Sequence, residues 1–575
     1  MVEVFPLLWL LAGVLPLIAS YTVAFTRLLV KKPVAQKRRV ETGFRNLLGT
    51  SLQLTYWPTC IRWAVWLGLL GGATGCVQLK PGQSSQSTEV KKRRVLSYEQ
   101  QLQQLELADS LRNFSASLRL STEEQQANKR LKALRGQMLA HYDSVHFFPP
   151  ARNFYRGRQH MYATKLYRLL KSMPKGGVHH LHPGAGGSAW WMVERAMREP
   201  NCYVFWRPDN GQYLKGQLQF FRPQEVPQGF ELAQVLQRTV PGFPNQLHEL
   251  LTFNEHTGRD SVDIWLEFEK CFRRIGGFTG YQPVFEDMAA ATFDSLAADG
   301  VQHVELRAGL SGSLYDLQHP AGSFPADSII RYYQRAAQRV RAARHSDFSF
   351  KLIYADLRFK SVEQIKRSLR TAFALHQRHP TVVQAFDLVA HEDAGHPTRY
   401  FQPVWALRDS LAAATGVRLP LCLHDGESTW QHVSNVNDAA VLGSNRIGHG
   451  FNLSFFPAAE DLVRERKICI EVSPLSNQVL EYVGDLRMHP AHTWIRRGVQ
   501  ISISPDDPSI FDYVGVTPDY WSIFLAWELD LRDLKQLALN GIEYGFLTTE
   551  EKQRARATWQ QQWLAFVGRI NQQVP

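Results

Sequence analysis

Eight short apolar runs, at residues 178–181, 300–306, 350–354, 383–389, 419–423, 446–447, 468–472 and 499–503, punctuate the chain, and stretches of helical periodicity separate them. Runs that stay apolar without alternating suit strands covered on both faces, as in a parallel sheet whose crossovers are helices. Eight such units predict an α/β fold of the TIM-type (β/α)8 barrel class, occupying residues 173–570. A barrel of this kind takes about 250 residues. The interval between the first and second runs is too long for one helix, so an insertion is expected at about 190–265, where Tyr203, Phe205, Trp206, Phe220 and Phe221 supply apolar surface.

Residues 97–172 read as a helical region. Leu102, Leu105, Leu107 and Leu111 recur at helical spacing, and Ser121-Thr122-Glu123-Glu124 offers a capping box for a second helix running to about Tyr142. After a break at Phe147-Phe148-Pro149-Pro150, a further helix is expected over 163–173. Pattern alone leaves two uses for this region open: packing on the neighbouring domain, or a dimer face.

The formal charge of +12 would suit a nucleic-acid partner if it lay on the folded body. Residues 1–50 carry +5 and residues 51–100 carry +4, leaving only +3 beyond them, so no nucleic-acid partner is expected. The excess flanks apolar segments, as membrane-topology signals do. An uncharged run of 23 residues between Glu3 and Arg27 is long enough to cross a bilayer, and residues 1–50 are read either as a transmembrane segment or as an over-extended gene start. A second apolar run, 63–75, ends in small residues before Cys76. Residues 51–76 thus resemble a lipoprotein-type export signal with Cys76 as the lipidated residue; a second transmembrane helix is the other reading. Residues 77–96 form a polar tether. Both readings predict an exported, membrane-tethered protein anchored at its N-terminus. The six cysteines are scattered without a CxxC pair, which excludes a cysteine-rich zinc module and a disulfide framework.

Four polar motifs sit at the ends of the apolar runs: His180-Leu181-His182, His424-Asp425-Gly426-Glu427, His449 within Arg446-Ile447-Gly448-His449-Gly450, and Asp506-Asp507-Pro508. In a βα barrel the strand C-termini converge on one mouth, so residues far apart in sequence meet there. HxH on a strand puts both imidazoles on one face, because side chains alternate with period two. A third histidine and a carboxylate complete a nitrogen-rich set suited to zinc with one position open. Each motif alone is weak: a lone His449 is more often a hydrogen-bonded structural histidine, and Asp-Asp-Pro more often a turn. Their order along successive strands is what gives them weight.

Met173-Pro174-Lys175-Gly176 leading into HxH, the HDGE and RIGHG stretches, Ser473-Pro474-Leu475-Ser476-Asn477 and Ser504-Pro505-Asp506-Asp507-Pro508 together resemble the adenosine deaminase family. Phe147-Phe148-Pro149-Pro150, the stretch from Val389 to His396, and Ser476 to Leu480 resemble its secreted branch, the adenosine deaminase-related growth factors. The resemblance covers residues 98–570. It implies a metal-dependent hydrolase barrel of the amidohydrolase kind, N-terminal dimerisation helices with a homodimer, and one Zn2+ per chain held by His180, His182, His424 and Asp506. It further implies that Glu427 protonates the purine ring at N1, that His449 orients and deprotonates the attacking water, and that Asp507 meets the purine at N7. The substrate is then adenosine or a related aminopurine nucleoside.

Three departures bear on the substrate. Pro183 stands where the family has an Asp that holds the ribose, Ala390 stands where a Gly is usual beside the purine, and Asp425 replaces an Ala between His424 and Glu427. Ala390 is therefore expected beside the purine, where its methyl narrows the pocket, and Asp425 either to approach the metal shell or to face solvent; His391 and Glu392 are expected either to touch the sugar or to form a structural salt bridge. Two other readings remain: the same chemistry on a different amino-substituted substrate, or a binding or signalling barrel without catalysis.

Overall fold

The structure is a computed structural model describing residues 96–254, 263–310, 314–322 and 324–574. The readings at 1–50, at 51–76 with Cys76, and at nearly all of 77–96 fall outside these residues.

Each of the eight apolar runs carries a strand. β1 (Gly176–Leu181) is followed by three short strands, β2 (Cys202–Phe205), β3 (Leu218–Phe220) and β4 (Phe230–Leu232). The chain then forms β5 (Val301–Ala308), β6 (Ser349–Leu357), β7 (Val383–Val389), β8 (Cys422–Asp425), β9 (Arg446–His449), β10 (Cys469–Val472) and β11 (Ile501–Ile503). β1, β5, β6 and β7 make one parallel sheet in that order, and β8, β9, β10 and β11 make another. Isolated parallel bridges join them at both edges, Phe386 to Leu421 and Leu181 to Asp506. The strands therefore meet in cyclic order, with helices in the crossovers, as the (β/α)8 class requires. β8, β9, β10 and β11 are buried at every residue, which is why they read as apolar runs rather than alternating ones.

β3, β2 and β4 form an antiparallel sheet between β1 and β5. Phe220 on β3 stacks on Tyr281 with ring centroids 3.7 Å apart, fastening this small sheet to the barrel side.

In the N-terminal region, capping boxes at Ser97 with Gln100 and at Ser121 with Glu124 start helices Tyr98–Arg112 and Thr122–Ser144. The helix expected over 163–173 is shorter: Phe154–Ala163 ends at Thr164, whose hydroxyl accepts the Tyr167 N–H and starts Lys165–Lys171. Thr122–Ser144 is tied to the C-terminal helix Thr549–Gln573 through Glu124, which accepts from Trp563 Nε1 and Lys535 Nζ, both at 2.6 Å. Tyr98–Arg112 buries none of its residues, and Leu105, Leu107 and Leu111 are more than half exposed.

The expected membrane-tethered location is corrected. Among the described residues no helix is long and apolar enough to cross a membrane. The helix buried at all ten of its residues, Thr517–Ala526, is about half the ~20 residues a span needs, and its apolar surface is taken up by the protein core.

Candidate active site

The alternation of β1 places His180 and His182 on one face and His179 on the other. His179 turns away, its ring nitrogens 3.0 Å from Ser502 Oγ and from the Gly541 carbonyl. Ser504 Oγ accepts the N–H of His179 and of His180, both at 3.1 Å, and so holds the strand at the point where it delivers the pair.

Two carboxylates orient His180 and His424 from behind. Glu471 on β10 lies 3.0 Å from His180 Nδ1, and Asp387 on β7 lies 2.6 Å from His424 Nδ1, so both rings turn Nε2 inward. Asp506 Oδ1 stands 3.3 Å from Nε2 of both His180 and His182, and His182 Nε2 is 3.3 Å from His424 Nε2. Ser476 Oγ donates to Asp506 Oδ2 at 2.8 Å. Among the described residues, His180 Nε2 and Asp506 Oδ1 are buried side-chain atoms without a hydrogen-bond partner. Buried orphans of the same sense, a nitrogen lone pair and a carboxylate oxygen that cannot satisfy each other, are the donor set of a dication. The residues present therefore fit zinc. Gly448 makes room for the cluster: a Cβ there would come within 3.1 Å of His180 Cε1.

A buried ionic layer lies beneath. Arg307 reaches Asp387 at 3.1 Å and also bonds Glu471 and the His179 carbonyl; Arg446 bonds Glu471 at 2.6 Å and also Glu305. Burial pushes the Glu471 carboxyl up, but Arg307 and Arg446 outweigh it and hold it well below the ordinary range, ready to accept from His180.

The other polar residues behave in the opposite sense. Burial, then the nearby charges of Asp506 and Glu392, raise the Glu427 carboxyl well above the ordinary range. Burial and Asp506 do the same to Asp507. Burial lowers His449 to about 3. The Glu427 carboxyl and the His449 imidazole, both pushed toward their uncharged forms, stand side by side, His449 Nδ1 3.6 Å from Glu427 Oε1, with His449 Nε2 3.8 Å from Asp506 Oδ2. His449 (φ 59°), Asp506 (φ 64°) and Ala390 (φ 88°) all adopt left-handed backbone, each costing about 1–3 kcal/mol and concentrated at this one mouth.

A cavity of about 630 Å3 opens over these groups, bounded by His182, Ala390, His424, Glu427, His449, Asp506 and Asp507. Its apolar wall comes from Trp265, Phe268 and Phe272 on helix Ile264–Thr279. The cavity thus gathers His182, His424, Glu427, His449, Asp506, Asp507 and Ala390, with His180 buried directly behind. His391 is not among the lining residues; its ring stacks on Trp265, centroids 4.5 Å apart and planes 6° from parallel. Asp425 neither faces solvent nor joins the ligands; its Oδ1 accepts from Thr398 Oγ1 at 2.6 Å and from Arg358 at 3.3 Å. Asp387, Glu471, Ser476 and Trp265 were not anticipated. The first two had a signal, a single carboxylate inside an otherwise apolar strand run.

Residues 221–560, more than half of the chain, match the adenosine deaminase family, and residues 64–170 match the adenosine/AMP deaminase N-terminal family. Adenosine deaminase 2 of Sus scrofa is 34% identical over 496 residues, 82% of this chain and 94% of that protein. A Burkholderia ambifaria amidohydrolase solved with bound Zn aligns at a TM-score of 0.50 and 17% identity, covering 71% of this chain and 95% of that one. An arabidopsis protein complexed with IMP aligns at 0.51 and 16%, covering 69% and 99%. These two likenesses show the fold. The family match and the extent of the identity show that this chain belongs to the adenosine deaminase family, on its growth-factor-type branch, as a deaminase hydrolase acting on C–N bonds.

Proposed function

We propose that the protein hydrolytically deaminates adenosine or a related aminopurine nucleoside, giving an inosine-type product and ammonia, with one zinc ion per chain held by His180, His182, His424 and Asp506. The observation that carries this reading is Glu427, its carboxyl pushed toward the protonated form, paired with His449, its imidazole pushed toward the neutral form, beside orphaned histidine and carboxylate atoms at the floor of an aromatic-walled cavity of about 630 Å3. Zinc, when bound, supplies a Lewis acid that brings proton loss from water close to neutral pH.

The residues divide the remaining work. His449, uncharged, takes the proton of the attacking water. Glu427, protonated, gives its proton to N1 as the water oxygen bonds to C6. The C6–N6 bond then breaks, the leaving amine departs as ammonia with the proton His449 took up, and the C6 hydroxyl gives its proton back to Glu427 as the C6 carbonyl forms. Asp507, also held protonated, donates to N7. Trp265, Phe268 and Phe272 exclude solvent from the purine face. Pro183 offers no carboxylate to the sugar, and His391 bears on the substrate through Trp265 rather than directly.

The exposed leucines of Tyr98–Arg112 support a homodimer formed through that helix, which light scattering on the full-length protein tests.

For the activity, zinc-loaded full-length protein is given adenosine and 2′-deoxyadenosine in parallel and ammonia is measured. Turnover should fall about 10²- to 10⁴-fold in Glu427→Gln with metal retained. Unchanged turnover in that variant removes Glu427 from its role. No turnover by metal-loaded wild type moves the substrate to another amino-substituted compound.

A further inference from the structure

The turn that carries Glu427 is gripped from outside the cavity. Glu392, 3% exposed, lies one layer behind, and its two carboxylate oxygens receive three N–H groups. Oε1 accepts the Gly426 N–H at 2.9 Å and Asn435 Nδ2 at 2.8 Å; Oε2 accepts the Glu427 N–H at 2.6 Å. On the other side of the turn the Gly426 carbonyl accepts the Asn452 N–H at 2.9 Å. Gly426 has φ 95°, and a Cβ there would meet Asn452 Oδ1 and Gly450 Cα, both at 2.9 Å. The peptide between a metal-ligating histidine and the acid is thus held on both faces in a conformation that ordinary side chains avoid.

We propose that Glu392 is a positioning residue for Glu427: by accepting the Gly426 and Glu427 N–H groups, its carboxylate sets where the Glu427 carboxyl stands relative to His449 and the substrate. This rests on the deaminase reading above. Asn435 fixes Glu392 in turn, and its Oδ1 accepts the Thr398 N–H at 3.0 Å, while Thr398 Oγ1 holds Asp425. Arg358 completes the frame through the His424 carbonyl, Asp425 and, at 3.2 Å, the His396 carbonyl. Glu392, Asn435, Thr398, Asp425 and Arg358 are all essentially buried, so no solvent competes for these bonds. Asp425 thereby has a place: it anchors the outer side of the same turn. The grip matters because proton transfer to a ring nitrogen tolerates little displacement, and a 1 Å error costs about 10²-fold.

Glu392→Gln in the full-length, zinc-loaded protein is the test. A carboxamide keeps the size but turns an NH2 toward one of the two amides, so one loses its acceptor. Expected are faster hydrogen exchange at the Gly426 and Glu427 amides, kcat lower by about 10- to 100-fold, KM within about threefold of wild type, and full metal content. Glu392→Asp, which keeps the charge but shortens the reach, should also lose kcat; wild-type kcat in that variant would overturn the proposal in favour of a charge effect alone. Asn435→Ala, which frees Glu392 without removing it, should show a smaller loss in the same direction and serves if Glu392→Gln does not fold. Wild-type kcat in Glu392→Gln, unchanged exchange at the two amides, or a kcat loss that tracks lost metal each overturns it. The exchange measurement does not depend on substrate: a wild type inert toward every aminopurine refutes the deaminase reading, whereas unchanged exchange refutes the grip itself.

Discussion

Asp387 holds His424 twice, accepting its backbone N–H at 2.9 Å and lying 2.6 Å from its Nδ1. One carboxylate thus sets both the backbone and the ring of a proposed ligand. Asp387→Asn keeps the shape but removes the charge that makes the imidazole a good donor. Zinc affinity should fall about 10- to 100-fold, read by competition with a chromogenic chelator. Glu471→Gln should act the same way through His180, with an added stability loss because Arg307 and Arg446 would lose their shared counter-charge.

Lys175, fully buried before β1, gives its ammonium to the carbonyls of Leu170, Met173 and Asp299, with Nζ to oxygen distances of 2.9, 3.2 and 2.6 Å. Lys175→Met should destabilise the protein by about 3 kcal/mol, measured by urea unfolding, because three buried acceptors lose their donor. Turnover per folded molecule should be unaffected.

Ala390 combines φ 88° with a methyl group at the cavity wall. Ala390→Gly relieves the strain and widens the wall. The ratio of kcat/KM for methyl-bearing aminopurines to that for adenosine should rise about 10-fold, with the unfolding midpoint unchanged or higher. An unchanged ratio would show that the methyl does not face the base.

Acid stability should depend on His489. Burial lowers its pKa from 6.5 to about 3, and its ring accepts the Ala491 N–H and meets Asn477 Oδ1, each at 3.1 Å. Between pH 6.5 and 3 the unfolded chain binds a proton that the folded one refuses, so stability falls as pH falls through this window. In thermal scans from pH 7 to 4, His489→Gln should flatten that part of the slope. An identical slope would assign the acid sensitivity to other buried histidines.

All eight barrel strands were legible because a strand buried on both faces cannot afford polar residues in series, and its apolar run stands out against amphipathic helices. The residues gathered at the mouth were legible for the complementary reason: polar residues at the ends of such runs have nowhere to point but the mouth. β2, β3 and β4 were not legible as strands, being three or four residues long with partners found only in tertiary space. The stack of His391 on Trp265 was not legible, because its partner comes from a helix more than a hundred residues earlier. Of the two uses open to Asp425 in the sequence, burial removes the solvent-facing one and leaves it behind His424, bonded to Arg358 from another crossover.

The bridge between Leu181 and Asp506 has a consequence for how the protein is made. His180 and His182 leave the ribosome early, whereas Asp506 is among the last barrel residues to be translated, and the two ends of the barrel come together at the ligand set itself. Under the proposed metal reading, a nascent chain would carry two or three of the ligands without the carboxylate that balances the ion's charge. Metal capture would then belong to the finished polypeptide, and a chain truncated before residue 506 would lose both the proposed ligand set and the seam of its barrel.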